Sequence, residues 1–238
     1  MAGDFALGGG DIVKDDHNLV AATVDEFHRR VGLCHAAVEA ANAATGRNCV
    51  YLCNLSAPFD QLAEQMECAL SLGVRGVMVA PMALGLDTVR HLSETRPLIM
   101  LAHPTFTGTF FHDRSHGIEP RILLGTLFRL AGADISIIPT FGGRLSFTRA
   151  ECTGVAQRLR QSLGSLKPTL PAPAGGLRFE AIADTVSQYG ADALFLIGGA
   201  LLTHGPSLRH STTAYLNGIR QYFTEHLTEP RRDLVSTG

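Results

Sequence analysis

The chain alternates short, continuous apolar runs with longer stretches of helical period. The runs are Gly10–Lys14, Cys49–Asn54, Gly76–Ala80, Leu98–His103, Asp134–Pro139, Thr169–Ala172 and Ala193–Ile197. Such continuity suits parallel strands covered on both faces. Apolar residues at helical spacing fill the intervals, over about Thr23–Thr45, Pro58–Leu72, Leu84–Glu94, Arg121–Ala131, Arg149–Leu163, Phe179–Tyr189 and Ser207–Phe223. Gly46, Gly73, Gly132, Gly164 and Gly190 stand where those patterns stop, as glycines do at left-handed helix caps. Strand followed by helix, seven times over, predicts an α/β fold with a parallel sheet and crossover helices. A doubly wound open sheet is the rival, but no Gly-x-Gly-x-x-Gly fingerprint opens the chain. The expected architecture is a TIM (β/α)8-type barrel, one unit short. Barrels build their sites from the carboxyl ends of their strands. Here those ends carry Lys14, Asn54, Pro81, His103, Thr140, Ala174 and Gly198.

Composition narrows the classes of function. Apolar residues make up 45% of the 238 and mean hydropathy is +0.13, enough for a substantial core in a single domain over 1–238. A formal net charge of −2 and a pI near 6.5 argue against a nucleic-acid partner. No apolar run approaches the roughly 20 residues of a membrane span, and no membrane partner is expected. Met1–Phe5 lacks the basic-then-apolar order of a secretory signal. The five cysteines form no C-x-x-C pair, so a zinc or redox motif is not expected. Free thiols suit a reducing compartment, and a cytoplasmic protein is expected.

Candidate chemistry gathers at three places. Lys14-Asp15-Asp16-His17 puts an amine, two carboxylates and an imidazole at the end of the first run. Mg²⁺ takes oxygen ligands in near-octahedral geometry, which a carboxylate and a lysine carbamate would supply. A strand ending in a solvated charged turn would read the same way. Gly175-Gly176 and Gly198-Gly199 each follow an apolar run and precede a helical pattern. Glycine lets backbone N–H groups converge on a phosphate, and a helix N-terminus favours the charge; plain βα turns are the alternative. His103 closes the run Leu98–Ala102. It is suited to acid–base work near neutrality or to a hydrogen-bonded structural role.

Gly9-Gly10-Asp11-Ile12-Val13-Lys14-Asp15-Asp16 resembles the GG-x-D-x-x-K-D-D-E signature of the ribulose-bisphosphate carboxylase (RuBisCO) large-chain superfamily. The resemblance continues in order along nearly the whole chain. Tyr51-Leu52-Cys53-Asn54 is similar to the family's third strand and Leu101-Ala102-His103 to its fifth. Leu127–Asp134 resembles the helix and turn before the sixth strand, and Thr140-Phe141-Gly142-Gly143-Arg144 the sixth loop. Pro173-Ala174-Gly175-Gly176 and Ile197-Gly198-Gly199 are similar to the family's two phosphate-binding glycine pairs. The resemblance implies a RuBisCO-like barrel domain that begins at the family's second strand, incomplete at its N-terminus.

It also implies roles. Lys14 takes the place of the carbamylated lysine, with Asp16 as a second Mg²⁺ ligand and His17 where the family's metal-binding glutamate stands. His103 is implied as a catalytic residue facing substrate and Arg144 as the sixth-loop cation. Asn54 and Thr140 are implied at substrate-binding strand ends, with Gly175, Gly176, Gly198 and Gly199 on phosphate. Several positions depart from the family pattern. Pro104 replaces an arginine, Ile137 a histidine, Arg144 a lysine and Ala174 a serine. The first two belong to the second phosphate of a bisphosphate.

These departures imply a RuBisCO-like enzyme that acts through an enediolate on a phosphorylated keto sugar acid, not a carboxylase. Lys14–His17, His103-Pro104 and Pro173–Gly176 most resemble the subgroup that decarboxylates 3-oxo-isoapionate 4-phosphate. A 2,3-diketo-5-methylthiopentyl-1-phosphate enolase, another isomerase of the family, or a catalytically silent scaffold are the alternatives. A phosphorylated small-molecule substrate and a homodimeric full-length protein are further expectations.

Overall fold

The structure, a computed structural model, describes residues 1–113, 115–143 and 147–226. Six parallel strands form one sheet in strict sequence order: β1 (Ile12–Lys14), β2 (Val50–Asn54), β3 (Gly76–Val79), β4 (Ile99–Ala102), β5 (Ile135–Pro139) and β6 (Leu170–Ala174). Each lies on a predicted run. An order without reversal is that of a barrel-type sheet, since a doubly wound sheet reverses at its switch point. In register, Ile12 pairs with Val50, Leu52 with Gly76, Met78 with Leu101 and Ile137 with Ala172.

The seventh predicted strand, Ala193–Ile197, is not a regular one, and β6 supplies the reason. Leu194 and Leu196 N–H donate to the carbonyls of Pro171 and Pro173 at 2.9 and 3.1 Å. Leu170 N–H donates toward β5, to Asp134, so strand alternation turns positions 171 and 173 toward the seventh run. Both are proline and return no N–H. The bonding is one-way, and the sheet counts six strands among the described residues. Proline is confined to strand edges for this reason.

Helices α1 (Ala2–Leu7), α2 (Val24–Thr45), α3 (Phe59–Ser71), α4 (Pro81–Leu84) and α5 (Leu86–Thr95) occupy the first half. The helix expected over 121–131 opens as a π-helix, Arg121–Leu127, and continues as α6 (Phe128–Leu130). Then come α7 (Arg149–Arg160), α8 (Ile182–Tyr189), α9 (Gly199–His204) and α10 (Leu208–His226). Three of these, α1, α4 and α9, are too short for a periodic signal. Thr23 caps α2 by accepting from the Glu26 N–H, and Thr148 with Glu151 makes a reciprocal capping box on α7.

Alternation along the strands divides the core. Tyr51, Cys53, Val77, Val79 and Met100 pack against helix residues such as Phe27, Val31, Leu62 and Met66. On the opposite face Leu52, Met78, Leu101, Ile135, Ile137 and Ala172 pack with Ile12, Leu194 and Leu196. That second cluster contains strand-run residues alone, as a barrel interior does. All five cysteines are free thiols, with Cys49, Cys53 and Cys152 buried. No described helix is long and apolar enough to cross a membrane.

Arg129 closes the loop that delivers β6. It is 3% exposed and donates to the carbonyls of Gln161, Leu166 and Lys167, each at 2.6 Å. A buried guanidinium with its donors spent on three carbonyls pins α6 to the segment after α7. Hydrogen bonds to a charged group contribute about 1.5–3 kcal/mol each, and solvation of the freed carbonyls recovers part of that. Arg129→Met is therefore expected to cost about 2–4 kcal/mol of stability. Urea denaturation reads the loss; a value below about 1 kcal/mol would mean that water satisfies this loop equally well.

Candidate active site

Strand alternation separates the two adjacent aspartates. Lys14 ends β1, and Asp15 continues its bonding, with its N–H donating to the Leu52 carbonyl at 3.0 Å. Successive side chains of an extended chain point to opposite faces. Asp15 turns inward among α2 and β2 and is 5% exposed. Its carboxylate accepts from the Tyr51 hydroxyl at 2.8 Å, the Asn54 N–H at 3.1 Å and Arg30 Nε at 3.2 Å. A buried carboxylate needs such partners, because its desolvation costs several kcal/mol. Burial and the neighbouring Asp15 charge raise the Tyr51 phenol far above its usual range, so it stays a donor. Asp15 is thus committed to structure, and only Asp16 of the pair remains to act with Lys14.

Asp16 is exposed. It accepts the Asn18 N–H at 2.9 Å and lies 3.4 Å from His17 Nδ1. The Asn18 hydrogen bond, helped by His17 and Lys14 against a desolvation penalty, holds its carboxyl below the ordinary value. Lys14 is half-buried and donates to the Asp15 carbonyl at 3.0 Å. Burial lowers its proton affinity, while Asp16 and Asp15 oppose the shift. Asn54 holds this loop in place. Its amide donates to the carbonyls of His17 at 3.1 Å, Leu19 at 3.3 Å and Asp16 at 3.5 Å, and its Oδ1 accepts the Ser56 N–H at 3.2 Å. Both ends of the Asn54 side chain are hydrogen-bonded to the chain itself, and it holds this loop in the structure.

His103, one residue past β4, meets the loop from the other side. His17 stacks on it with ring centroids 4.5 Å apart and planes at 19°. His103 Nδ1 accepts the Thr105 N–H at 3.1 Å, which leaves the proton of the neutral ring on Nε2. Thr105 Oγ1 lies 2.6 Å from the same Nδ1. Burial foremost, then His17 and Lys14, push the His103 pKa down to about 4, against the pull of Asp16. Lys14, Asp16, His17 and His103 therefore lie within one another's electrostatic reach. In the following loop Phe106 holds φ at 67° and is 64% exposed, a left-handed backbone that a bulky side chain adopts only under constraint.

A second group forms at the ends of β5 and β6. Thr140 is buried, and its N–H donates to the Ala174 carbonyl at 3.1 Å. Gly175 and Gly176 have φ of 99° and 117°, which glycine adopts without a Cβ penalty. Gly143 approaches so closely that a Cβ there would collide with the Gly175 carbonyl. With Phe141, Arg178, Asp184 and Gln188 these residues line a cleft of about 500 Å³. Gly198 and Gly199 end the one-way seventh run and are exposed. Arg144 lies outside the described residues.

The sequence pattern did not point to Arg30, Tyr51, Thr105 or Gly143. The period-two rule does place Asp15 and Tyr51 on one face; nothing local marks Arg30 as their partner. Among the described residues, no three His, Cys, Asp or Glu side chains group to hold a metal. A hard cation at Asp16 would need further oxygen donors beside that carboxylate.

Residues 1–221 match the family described as "Ribulose bisphosphate carboxylase large chain, catalytic domain". Ribulose bisphosphate carboxylase-like protein 1 of Rhodopseudomonas palustris is 37% identical over 87% of this chain and 55% of its own. The 5-methylthioribulose-1-phosphate isomerase of Rhodospirillum rubrum is 36% identical over 92% of this chain and 57% of its own. A 2,3-diketo-5-methylthiopentyl-1-phosphate enolase of Geobacillus thermodenitrificans is 30% identical over 84% and 49%. The crystal structure of a Rubisco-like protein from Rhodopseudomonas palustris superposes with a TM-score of 0.82 at 33% identity, over 93% of this chain and 59% of that one. The chain spans about half the length of the curated relatives it matches.

The depressed His103 pKa makes stability depend on pH. Between about pH 6.5 and 4 the unfolded imidazole takes up a proton that the folded one does not. Stability contributed by the neutral ring is therefore full above pH 6.5, falls as pH drops and levels off below the folded value of about 4. The upper bound is about 3 kcal/mol, reduced by the water that still reaches the ring. His103→Gln should flatten this part of the profile in chemical denaturation from pH 7 to 4. An unchanged slope would show that the ring is not shielded.

Proposed function

The chain belongs to the ribulose bisphosphate carboxylase large-chain catalytic-domain family, and from that premise we propose that it is a RuBisCO-like enzyme unit that enolises a phosphorylated carbonyl compound. The observation that carries this reading is the cluster at the strand ends. An anionic carboxylate (Asp16), an amine of lowered proton affinity (Lys14) and a neutral imidazole (His103) lie within electrostatic reach of one another.

Each group has a part in the proposed chemistry. Burial raises the fraction of Lys14 that is a free amine, the form that can add CO₂ at Nζ and lose a proton to give a carbamate. That carbamate and Asp16 would hold Mg²⁺, with His17 or a water beside them. Bound there, Mg²⁺ supplies Lewis-acid stabilisation to charge developing on a substrate oxygen. His103 keeps Nδ1 on Thr105 and offers Nε2–H as a hydrogen-bond donor to a substrate oxygen, the use a neutral imidazole of low pKa suits. Gly175-Gly176 and Gly198-Gly199 offer backbone N–H groups to one phosphate, with Thr140 beside the first pair. By the family resemblance, Arg144 would supply the positive charge of the sixth loop. The complete protein is proposed to work as a homodimer.

The names of the similar isomerase and enolase support a proton shift without loss of CO₂. Decarboxylation of a 3-oxo acid phosphate such as 3-oxo-isoapionate 4-phosphate is the second reading. It passes through the same enediolate, and the resemblance of Lys14–His17, His103-Pro104 and Pro173–Gly176 to that subgroup supports it.

Assay of the complete protein with Mg²⁺, bicarbonate and a panel of phosphorylated ketoses, diketones and 3-oxo acids tests both. Solvent deuterium should enter carbon beside the carbonyl, and Lys14→Ala should slow this by about 100-fold or more. CO₂ release from a 3-oxo acid phosphate would select the second reading. Incorporation of CO₂ into ribulose bisphosphate would overturn both.

Mg²⁺ affinity offers an independent check. A neutral amine is a poor ligand for Mg²⁺ and a carbamate a good one. Calorimetry should find tighter Mg²⁺ binding with bicarbonate than without, and no such difference in Lys14→Ala. Equal affinity in both proteins would remove the carbamate.

A further inference from the structure

The sheet holds the two glycine pairs unequally. Gly175-Gly176 continue β6, which is paired to β5 at five positions from Leu170 to Ala174. Gly198-Gly199 end the run Ala193–Ile197, which β6 binds through the N–H groups of Leu194 and Leu196. Pro171 and Pro173 return none. The Cβ directions of Gly198 and Gly199 are open, and the pair is held through its flanking residues, since Ile197, Ala200 and Leu201 pack with Ile182, Val186 and Tyr215.

A further contact, this one with the loop of the first pair, lies at the far end of α9, which Gly199 begins. His204, the last residue of α9, stacks on Phe179 with centroids 4.6 Å apart and planes at 25°. Tyr215 of α10 meets both rings edge-on, 5.2 Å from each. Phe179 stands three residues after Gly176, on the loop of the other pair. α10 makes room for it at Gly218, where a Cβ would come within 3.3 Å of the Phe179 ring. Tyr215 is 3% exposed, so the trio is anchored at its inner side. One stacked and two edge contacts prefer different relative orientations, and together they restrict sliding as well as tilting of His204.

We propose that His204 is a positioning residue. Held by Phe179 and Tyr215, it sets the place of Gly198-Gly199 against Gly175-Gly176, and so, on the phosphate reading given above, the spacing between two sides of one phosphate site. With the seam at Pro171 and Pro173 bonded one way, this clamp adds to the hold that Ile197 and Leu201 have on the core. Because His204 is exposed, its replacement leaves the fold intact.

The test uses the full chain, labelled with ¹⁵N, and inorganic phosphate as the probe. Phosphate should shift the amide signals of all four glycines. His204→Ala should weaken phosphate binding about fivefold, as loss of an aromatic pair does, and lower the backbone order parameters of Gly198 and Gly199 but not those of Gly175 and Gly176. His204→Phe, which keeps a ring to stack, should restore affinity to within about twofold of wild type. Pro173→Ala returns an N–H to the seam and, added to His204→Ala, should recover part of the loss. Unweakened phosphate binding in His204→Ala, or no rescue by His204→Phe, overturns the assignment. If phosphate moves no glycine signal in the wild type, the phosphate reading fails by itself. The clamp is then judged on the order parameters: a fall at Gly198 and Gly199 in His204→Ala upholds it, and unchanged values overturn it.

Discussion

A carboxylate buried at Asp15 must be neutralised and saturated with hydrogen bonds, and the arrangement of the site follows from that requirement. Arg30 comes from the second helix, while Tyr51 and the Asn54 N–H come from the second strand. Meeting the demand of one side chain locks the end of the first strand to two neighbours. Asn54, fixed through its N–H, then spends its side chain on the carbonyls of Asp16, His17 and Leu19. The turn that follows has one path, and that path carries Asp16 and His17 back over Lys14 and His103. Removing the buried charge would therefore reach the chemistry through the backbone, without touching any of the four residues proposed to perform it.

Electrostatics at that edge are set by partial burial. Lys14 and His103 both lose proton affinity mainly to desolvation; the Lys14 charge adds to the loss at His103, and Asp16 opposes the shift at both. Asp16, at the water-exposed rim, keeps its charge because a backbone N–H supports it. The result is one negative charge at the rim beside two groups of lowered proton affinity.

The other half of the molecule is governed by a missing donor. Proline at 171 and 173 removes the N–H groups that would complete a seventh strand. The final unit therefore leans on side-chain contacts where the earlier units rely on a backbone ladder. Phe179, His204 and Tyr215 supply one of those contacts, and Gly8 against the last helix supplies another, with Thr213 Oγ1 donating to the Gly8 carbonyl at 3.1 Å. Glycine serves different ends in the two halves. Gly8 and Gly10 permit close packing, on Thr212 and the Phe5 ring, whereas Gly175 and Gly176 hold left-handed backbone beside open space.

Much of this was legible in the sequence, for local reasons. Apolar continuity and helical period depend on residues near one another in the chain, so six strands, the long helices and the parallel class could be read directly. The same holds for the ends of strands, which is why Lys14, His103, Thr140 and the glycine pairs were placed at one edge. The motif order along the chain likewise pointed to the family that the comparisons found. What the chain alone left open depends on partners far apart in it. That Asp15 is structural and Asp16 free was decided by Arg30 and Tyr51. Asn54 holds a loop because three carbonyls converge on it. His17 lies on His103, 86 positions further along the chain, only because the sheet brings their strand ends together. The failure of the seventh strand was written locally, in Pro171 and Pro173, but its meaning required the direction in which those two residues face. Periodicity specifies elements; the pairing of buried polar groups, which no period encodes, specifies the site.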